Sequence, residues 1–210
     1  MQKEVNNFLN NNRKPTQTDY VLAKAFYPLL IDIVKNQQEV TFQQFVENAK
    51  SQYPQIKEVQ SAVPVITGRR LEYIRIFTIR ENLPDLSAWI VSKKGTNSEA
   101  YLAEFNPVLE RENTTKIDWN SYDEKWQQYL EKLNKETLIL KKRTEKEALE
   151  LMANHAKLLE DKIKALVPNP QKLKYSSLVS IYREPIKQDL EDGKDVDESF
   201  DDAIFDVDDE

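Results

Sequence analysis

The sequence predicts a mainly α-helical protein with one small β-hairpin, and three observations support this fold class. Apolar residues recur at helical spacing in several stretches of the 210-residue chain. The segment 121–167 contains neither proline nor glycine and is rich in Glu, Lys and Leu, which is typical of a long helix. An alternating apolar stretch (Leu86, Ala88 and Ile90) leads into a polar turn at 93–97, which indicates a hairpin.

Composition excludes several classes of protein. A content of only 3 glycines argues against Rossmann and P-loop folds, which use glycines in their phosphate-binding loops. The absence of cysteine excludes disulfides, thiol catalysis and cysteine-ligated zinc, and a single histidine disfavours histidine-based metal sites and catalytic triads. No signal peptide or membrane-length apolar run is visible. We therefore expect a cytoplasmic protein with no metal and no cofactor.

Charge is distributed unevenly along the chain. The net charge is -6, but residues 186–210 contain 12 acidic residues and 2 lysines. Residues 1–185 then carry 28 Lys and Arg against 24 acidic residues, so they are mildly basic. A basic body with an acidic tail is typical of proteins that interact with nucleic acid.

The first half of the chain predicts a helix–helix–helix–hairpin order. The first helix spans about 20–38 after an N-cap at Thr18 or Asp19, with Pro28 inside it as a kink or break. Thr41 and Gln44 form a capping box for a second helix at 42–52. A third helix starts near 66–68, buries the apolar stripe Leu71, Ile74 and Phe77, and stops at 82–84 before the hairpin strand. This order is that of a winged helix.

The motifs of this region also resemble a known module. The run GRRLEYIRIF at 68–77 with LPDLSAWIV at 83–91 is similar to a module of uncharacterised bacterial and phage proteins, in which a GRxLxxI helix precedes an LPxLSxLVV strand. The likeness covers about residues 20–105 and implies a winged-helix-like domain at 18–106. After Lys94 the chain departs from that pattern, because 95–99 replaces a turn rich in Gly and Pro.

A winged helix would read double-stranded DNA with the third helix and the hairpin tip. Arginines near the start of a recognition helix contact guanine in the major groove, and a basic wing contacts the backbone or the minor groove. The alternatives are that these residues contact another nucleic acid, or that the arginines and lysines lie on an ordinary protein surface. The predicted DNA-contact residues are Thr67, Arg69, Arg70, Tyr73, Arg75, Lys93, Lys94 and Asn97.

The remaining segments predict an extended architecture. Residues 1–17 are expected to be a flexible arm, 107–120 a linker, 121–167 a long amphipathic helix and 168–185 a short docking segment. The long helix either pairs with its copy in a homodimer or folds back near 141–144. Its predicted seam consists of Trp126, Leu130, Leu133, Leu140, Leu151, Leu158 and Ile163.

The acidic segment 186–210 is expected to be disordered. Its Phe200, Ile204 and Phe205, set among aspartates, resemble the acidic tip of bacterial single-stranded DNA-binding proteins, although five residues follow the last phenylalanine here. Three roles are open: binding a protein partner, competing with DNA for the basic body, or keeping the protein soluble.

Catalysis is not expected. Asp85, Glu99, Glu104 and Lys94 can be drawn as a carboxylate nuclease site, but no Glu-x-Lys follows at the required place. The leading prediction is a dimeric winged-helix DNA-binding protein of bacterial, plasmid or phage origin that regulates transcription or maintains DNA. The alternative is a phage-type interaction or inhibitor protein, either a DNA mimic or an adaptor, that binds a host protein through the winged domain and the acidic tail.

Overall fold

The computed structural model describes residues 14–166, 179–180 and 182–205, and these residues form two compact units that meet in sequence between Leu138 and Ile139. Within the described ranges the chain is mainly helical and has one two-stranded sheet. The predicted fold class is therefore confirmed at the level of a mainly α protein. The predicted boundary at 106 differs from the structure, because the first unit continues through the predicted linker to 138.

The N-terminal unit packs its helices around one apolar core. It contains, in chain order, α1 (Gln17–Asn36), β1 (Val40–Thr41), α2 (Phe42–Gln52), α3 (Lys57–Gln60), α4 (Pro64–Arg70), α5 (Glu72–Arg80), a 3-10 helix (Leu86–Trp89), β2 (Ile90–Val91), α6 (Glu99–Glu104), α7 (Pro107–Thr114), a second 3-10 helix (Trp119–Tyr122) and α8 (Asp123–Thr137). Helix α1 lies at its centre and contacts α3, α5, α8 and the first 3-10 helix.

Helix α1 begins earlier than predicted because a different residue caps it. The N-cap is Thr16, whose hydroxyl accepts from the backbone amide of Asp19, while the Asp19 carboxylate accepts from the Thr16 amide. This reciprocal capping box satisfies two amides that the helix leaves free. Thr16 is buried, so the predicted flexible arm ends before it; residues 1–13 lie outside the described chain. Pro28 lies within the helix and does not divide it.

Helix α2 is confirmed with its predicted bounds and cap. Thr41 accepts from the amide of Gln44, and the Gln44 side chain accepts from the Thr41 amide at 2.9 Å. Its apolar face places Phe45, Val46 and Ala49 in the core.

The predicted third helix and hairpin differ from the structure. The helix is two helices, α4 and α5, which are joined at Leu71. The predicted strand begins as a 3-10 helix, because the Asp85 carboxylate accepts from the amide and the hydroxyl of Ser87 and so turns the chain. Only β2 is extended, and it pairs in parallel with β1 in the register Val40 to Ile90. The described residues therefore contain no hairpin wing.

The predicted linker 107–120 is folded into the unit. Asn106 caps α7 by accepting from the amides of Val108 and Leu109. At the other end of α7, two indoles converge on buried Thr114: Trp89 Nε1 donates to its hydroxyl and Trp119 Nε1 to its carbonyl, both at 2.9 Å.

Replacing Thr114 by valine is expected to destabilise the N-terminal unit by about 1–2 kcal/mol, because the buried indole N–H of Trp89 loses its acceptor. Chemical denaturation followed by tryptophan fluorescence measures this change. Thr115→Val is the matched control, since Thr115 is exposed and its hydroxyl donates only to the carbonyl of Glu112. Equal effects of the two substitutions would contradict the role given to the indole contact.

The predicted long helix 121–167 is broken between the two units. Helix α8 ends at Thr137, and a new helix, α9 (Glu145–Leu166), begins after a non-helical stretch. Thr144 explains the break: its amide donates to the Glu147 carboxylate, and its hydroxyl accepts from the Glu147 amide, so it caps a separate helix. A single helix over 121–167 is therefore wrong, and the break at 138–144 includes the stretch 141–144, where the alternative prediction placed it.

The C-terminal unit is built from α9, α10 (Arg183–Glu191), α11 (Val196–Phe200) and a π-helical turn (Asp201–Phe205). The predicted disorder of 186–210 is wrong for residues 186–205, and residues 206–210 lie outside the described chain. Folding is possible because buried Lys194 lies 3.6 Å from the carboxylate of Asp189 and contacts that of Asp202, which neutralises part of the acidic segment. Most of the predicted docking segment 168–185, namely 168–178 and 181, lies outside the described residues.

Candidate interaction surface

Arg70, one of the two arginines predicted to read bases, points into the protein. Its guanidinium donates to the Asp19 carboxylate at 2.8 Å, and both side chains are buried. The same carboxylate accepts from the amide and the hydroxyl of Thr16, so it links the start of α1 to the end of α4. This ion pair removes Arg70 from any surface, and its prediction as a DNA contact is wrong.

Two further predicted contacts, Thr67 and Tyr73, are also buried. The Thr67 hydroxyl donates to the carbonyl of Val63, and this helical contact leaves it no free donor. Tyr73 belongs to the apolar core. Three of the predicted contacts on α4 and at the start of α5, namely Thr67, Arg70 and Tyr73, are therefore buried. Arg69 is half-buried.

Arg75 is held in a polar cluster beneath α6. Its Nε donates to the Asp85 carboxylate and its Nη2 to the Ser87 hydroxyl, each at 3.0 Å. The guanidinium also lies 5.4 Å from the ring centre of Tyr101 and 5.7 Å from that of Phe105, within cation–π range. Asp85, proposed from sequence as a nuclease ligand, is thus occupied by structural contacts, while Glu99 and Glu104 are exposed.

Asn97 holds the end of the sheet in place. Its side-chain amide donates to the carbonyls of Ala88 and Ile90, and its oxygen accepts from Arg111 Nη2 at 2.8 Å. Arg111 also pairs with Glu39, which precedes β1. Because Asn97 is buried in this network, its prediction as a DNA contact is wrong. Lys93 and Lys94 are exposed on the turn that Ser92 and Thr96 close.

Glu110 extends the cluster of Arg75 and Asp85 towards the surface. Its carboxylate accepts from the backbone amide of Asp85 at 2.6 Å and is half-buried. Burial raises the pKa of Glu110 above the ordinary 4.5, and the charge of Asp85 adds to that rise, although the hydrogen bond from the Asp85 amide opposes it.

A raised pKa in the folded protein means that Glu110 contributes stability below the ordinary pKa and that this contribution is lost as the pH rises through the raised value. We therefore expect Glu110→Gln to be more stable than the wild type at pH 7 and equally stable near pH 4. Thermal unfolding across this pH range measures the difference. Glu112→Gln is the control of opposite sign, since Lys116 lowers the pKa of Glu112. A wild type that gains stability over Glu110→Gln as the pH rises would contradict the assignment.

Exposed hydrophobic side chains of this unit are concentrated in one stretch of the chain. Six large hydrophobic side chains are exposed among the described residues, and three of them, Leu102, Val108 and Leu109, fall in α6 and the first turn of α7. Their exposed fractions are 50%, 67% and 52%. Leu102 and Val108 are six positions apart in the chain, so their Cα atoms lie within about 20 Å of each other. Single exposed hydrophobics are ordinary, but a local concentration marks an interaction surface.

Carboxylates border these apolar side chains. Glu99 and Glu104 are exposed on α6, and Glu112 is exposed on α7 with a 2.7 Å ion pair to Lys116. The one arginine of this stretch, Arg111, is directed towards Glu39. We call the exposed side chains of Glu99, Leu102, Glu104, Val108 and Leu109 the α6–α7 surface. The sequence does not reveal it, because the polar composition of this stretch predicts a linker at 107–120, although Asn106-Pro107 is a helix-start signal.

Three of the seven residues of the predicted dimer seam are buried inside one chain. Trp126, Leu130 and Leu133 are buried in the core of the N-terminal unit, where Trp126 stacks on Tyr27 with ring centres 4.1 Å apart. In the C-terminal unit, Leu140 and Leu151 are half-buried and Leu158 is exposed, while the side chain of Ile163 lies outside the described set. The coiled-coil seam is therefore wrong for its first three members.

The predicted partner-binding aromatic Phe200 is buried against the ring of His155, at 4.5 Å between ring centres. It supports the C-terminal unit and is not offered to a partner, so that prediction is wrong. Ile204 and Phe205 lie in the last described turn, and their side chains are outside the described set.

Comparison with known proteins adds no assignment. No protein-family model, curated protein or solved structure matches the chain. The resemblance to a winged-helix module thus stays a prediction. Within the described residues, no group of three or more His, Asp or Glu side chains is placed to hold a metal ion. Every helix in that part of the chain is too short or too polar to cross a bilayer.

Proposed function

We propose that this protein acts by binding another protein, with the α6–α7 surface as its docking platform. The observation that carries the proposal is a reversal of exposure: Arg70, predicted to read DNA, is buried on Asp19, whereas Val108 in the predicted linker is 67% exposed. Burying three such side chains against a partner removes apolar area from water, which is the main favourable term in association.

An adaptor fits the C-terminal unit better than a DNA mimic does. A mimic needs its carboxylates at the surface in a phosphate-like array, but Asp189 and Asp202 face the buried ammonium of Lys194. Two carboxylates of the acidic segment therefore stabilise the fold of this unit and are not available to a partner. Its remaining exposed carboxylates keep the protein soluble, which is the simplest of the roles left open by the sequence.

Binding to double-stranded DNA is the second candidate, and the exposed pair Lys93 and Lys94 favours it. These ammonium groups suit phosphate contacts, which position a protein on DNA without reading its sequence. Their contribution is testable by fluorescence anisotropy with a labelled duplex at two salt concentrations. We expect only weak binding, with a Kd no tighter than about 10 μM near physiological salt. Tighter, salt-dependent binding that Lys93→Ala with Lys94→Ala reduces would favour DNA instead.

Site-specific photo-crosslinking tests the protein-binding proposal. A benzophenone amino acid is placed at Leu109 on the α6–α7 surface, and the matched control carries it at Leu158, which is similarly exposed on α9. Irradiation of the source cells is expected to give protein adducts at position 109 that position 158 does not give. Adducts at both positions alike, or at neither, would rule out a specific role for the surface.

A further inference from the structure

Helix α6 is fastened to the N-terminal unit by one buried side chain. Among its residues whose side chains the structure describes, Tyr101 is buried, and Glu99, Leu102, Ala103 and Glu104 are exposed. Helix α1, by contrast, buries 11 of its 20 residues. Because most helical stability in proteins comes from the packing of a buried face, α6 has little to hold it in place.

Two contacts of the Tyr101 ring attach α6. The ring stacks on that of Phe105 with ring centres 5.0 Å apart, and the guanidinium of Arg75 lies 5.4 Å from its centre. Arg75 is itself held by its hydrogen bonds to Asp85 and Ser87. The attachment of α6 therefore depends on one aromatic ring packed on a fixed cation.

The hydroxyl of Tyr101 opposes this attachment. It is buried near the carboxylate of Asp85, but it forms no well-aligned hydrogen bond with a described group. A buried donor without an acceptor costs free energy, and water removes that cost once the side chain is exposed. The attached and detached positions of α6 are therefore closer in free energy than the ring contacts alone would make them.

The chain is anchored on both sides of α6. On one side, buried Asn97 donates to the carbonyls of Ala88 and Ile90, and on the other, Asn106 caps α7. Residues 98–105 can thus detach while both anchors stay in place. A helix of six residues does not persist in water without tertiary contacts, so detachment and unfolding of α6 are one event.

We infer that α6 is a strap that unfolds and refolds locally while the rest of the N-terminal unit stays folded, and that a partner docks only on its folded state. The inference rests on the proposed function, because it adds regulation to the same surface. Folded α6 presents Leu102 from a fixed backbone, whereas docking on unfolded α6 would have to order residues 98–105 as well.

Native-state hydrogen exchange of the full chain measures local unfolding of α6. The amides of Leu102 and Phe105 report on it, since they donate to the carbonyls of Ser98 and Tyr101. The amide of Leu30 in α1 is the reference. We expect the α6 amides to be protected at least about a hundredfold less than the reference. Equal protection would mean that α6 unfolds only with the whole unit, and it would overturn the inference.

Two substitutions of Tyr101 change the protection of α6 in opposite directions without altering an exposed side chain. Tyr101→Phe keeps the ring and removes the buried hydroxyl, so protection of the α6 amides is expected to rise about fivefold to thirtyfold. Tyr101→Ser removes the ring, so protection is expected to fall at least about tenfold. Protection that Tyr101→Phe lowers or leaves unchanged would overturn the inference.

Tyr27→Phe is the matched control. The Tyr27 hydroxyl is also buried without a hydrogen-bond partner among the described residues, but its ring stacks on Trp126 in the core. This change is expected to leave the protection of the α6 amides unaltered. An equal rise from Tyr27→Phe and Tyr101→Phe would mean that α6 has no opening of its own. Tryptophan fluorescence checks that the unit stays folded in each variant.

Photo-crosslinking from position 109 separates this inference from the proposed function. Tyr101→Ser is expected to reduce the adducts at position 109 at least about fivefold, whereas Tyr101→Phe keeps them. Adducts that Tyr101→Ser leaves unchanged would overturn the control of docking by α6 and leave protein binding in place. The absence of position-specific adducts in the wild type would overturn the proposed function, while hydrogen exchange still decides whether α6 unfolds locally.

Discussion

Replacing Gly193 by alanine is expected to unfold the C-terminal unit while the N-terminal unit stays folded. Gly193 has a φ of +95°, where an L residue is strained, and an added Cβ would lie 2.4 Å from the carbonyl oxygen of Lys141. The strain costs about 1–2 kcal/mol and the overlap with backbone about 1–3 kcal/mol more. A unit of this size has only about 3–10 kcal/mol of stability, so a combined loss of about 2–5 kcal/mol is comparable with the whole of it.

Two optical signals separate the units in that experiment. All 3 tryptophans lie in the N-terminal unit, so their fluorescence reports that unit alone, whereas circular dichroism reports the helices of both. We expect Gly193→Ala to lose the part of the helical signal that belongs to the C-terminal unit, with the tryptophan transition unchanged.

Gly95→Ala is the matched control for Gly193→Ala. Gly95 also has a positive φ, +77°, but nothing lies within 4 Å of an added Cβ. It therefore carries the conformational cost without the overlap, and we expect a loss of about 1 kcal/mol from the N-terminal unit. If the two substitutions cost the same, the close approach of the Lys141 carbonyl has no energetic weight.

Local signals in the sequence predicted the parts of the fold that depend on neighbours in the chain. The capping box of Thr41 and Gln44 fixes the start of α2 from residues three apart, and the apolar stripe of α1 fixes its buried face. The same rules place Arg70 near the start of a long helix, whereas in the structure it is the last residue of α4. They do not say that Asp19, 51 residues earlier, lies opposite it.

The candidate surface was not predictable for a similar reason. Exposure of Val108 and Leu109 depends on which side of α7 packs on the first 3-10 helix, and that helix was predicted to be a strand. The prediction for the acidic segment was wrong in the opposite way, because it gave disorder where residues 186–205 are folded. Its composition indicates disorder, but one buried lysine, Lys194, with carboxylates on either side allows a short helical unit to close.

Breaking the buried ion pair of Arg70 and Asp19 is expected to cause a large loss of stability in the N-terminal unit. Asp19→Leu leaves the buried guanidinium without this carboxylate, which costs about 3–5 kcal/mol for an internal ion pair. Arg70→Met is expected to cost less, because the Asp19 carboxylate keeps its hydrogen bonds from the amide and the hydroxyl of Thr16. For a unit of this size we expect the Asp19→Leu midpoint to fall by about 10–20 °C, followed by tryptophan fluorescence.

The double variant distinguishes the energy of the ion pair with Arg70 from the energy of the helix cap, since Asp19 takes part in both. Asp19→Leu with Arg70→Met removes both charges, so its cost is expected to be smaller than the sum of the single changes by about 1–3 kcal/mol. Gln44→Leu breaks the equivalent capping box of α2, which has no ion pair, and is expected to cost only about 1 kcal/mol. Additive single changes would mean that the two side chains do not interact. An Arg70→Met variant of unchanged stability but reduced DNA affinity would return that arginine to the role predicted from the sequence, because a guanidinium cannot serve both the interior and a phosphate backbone.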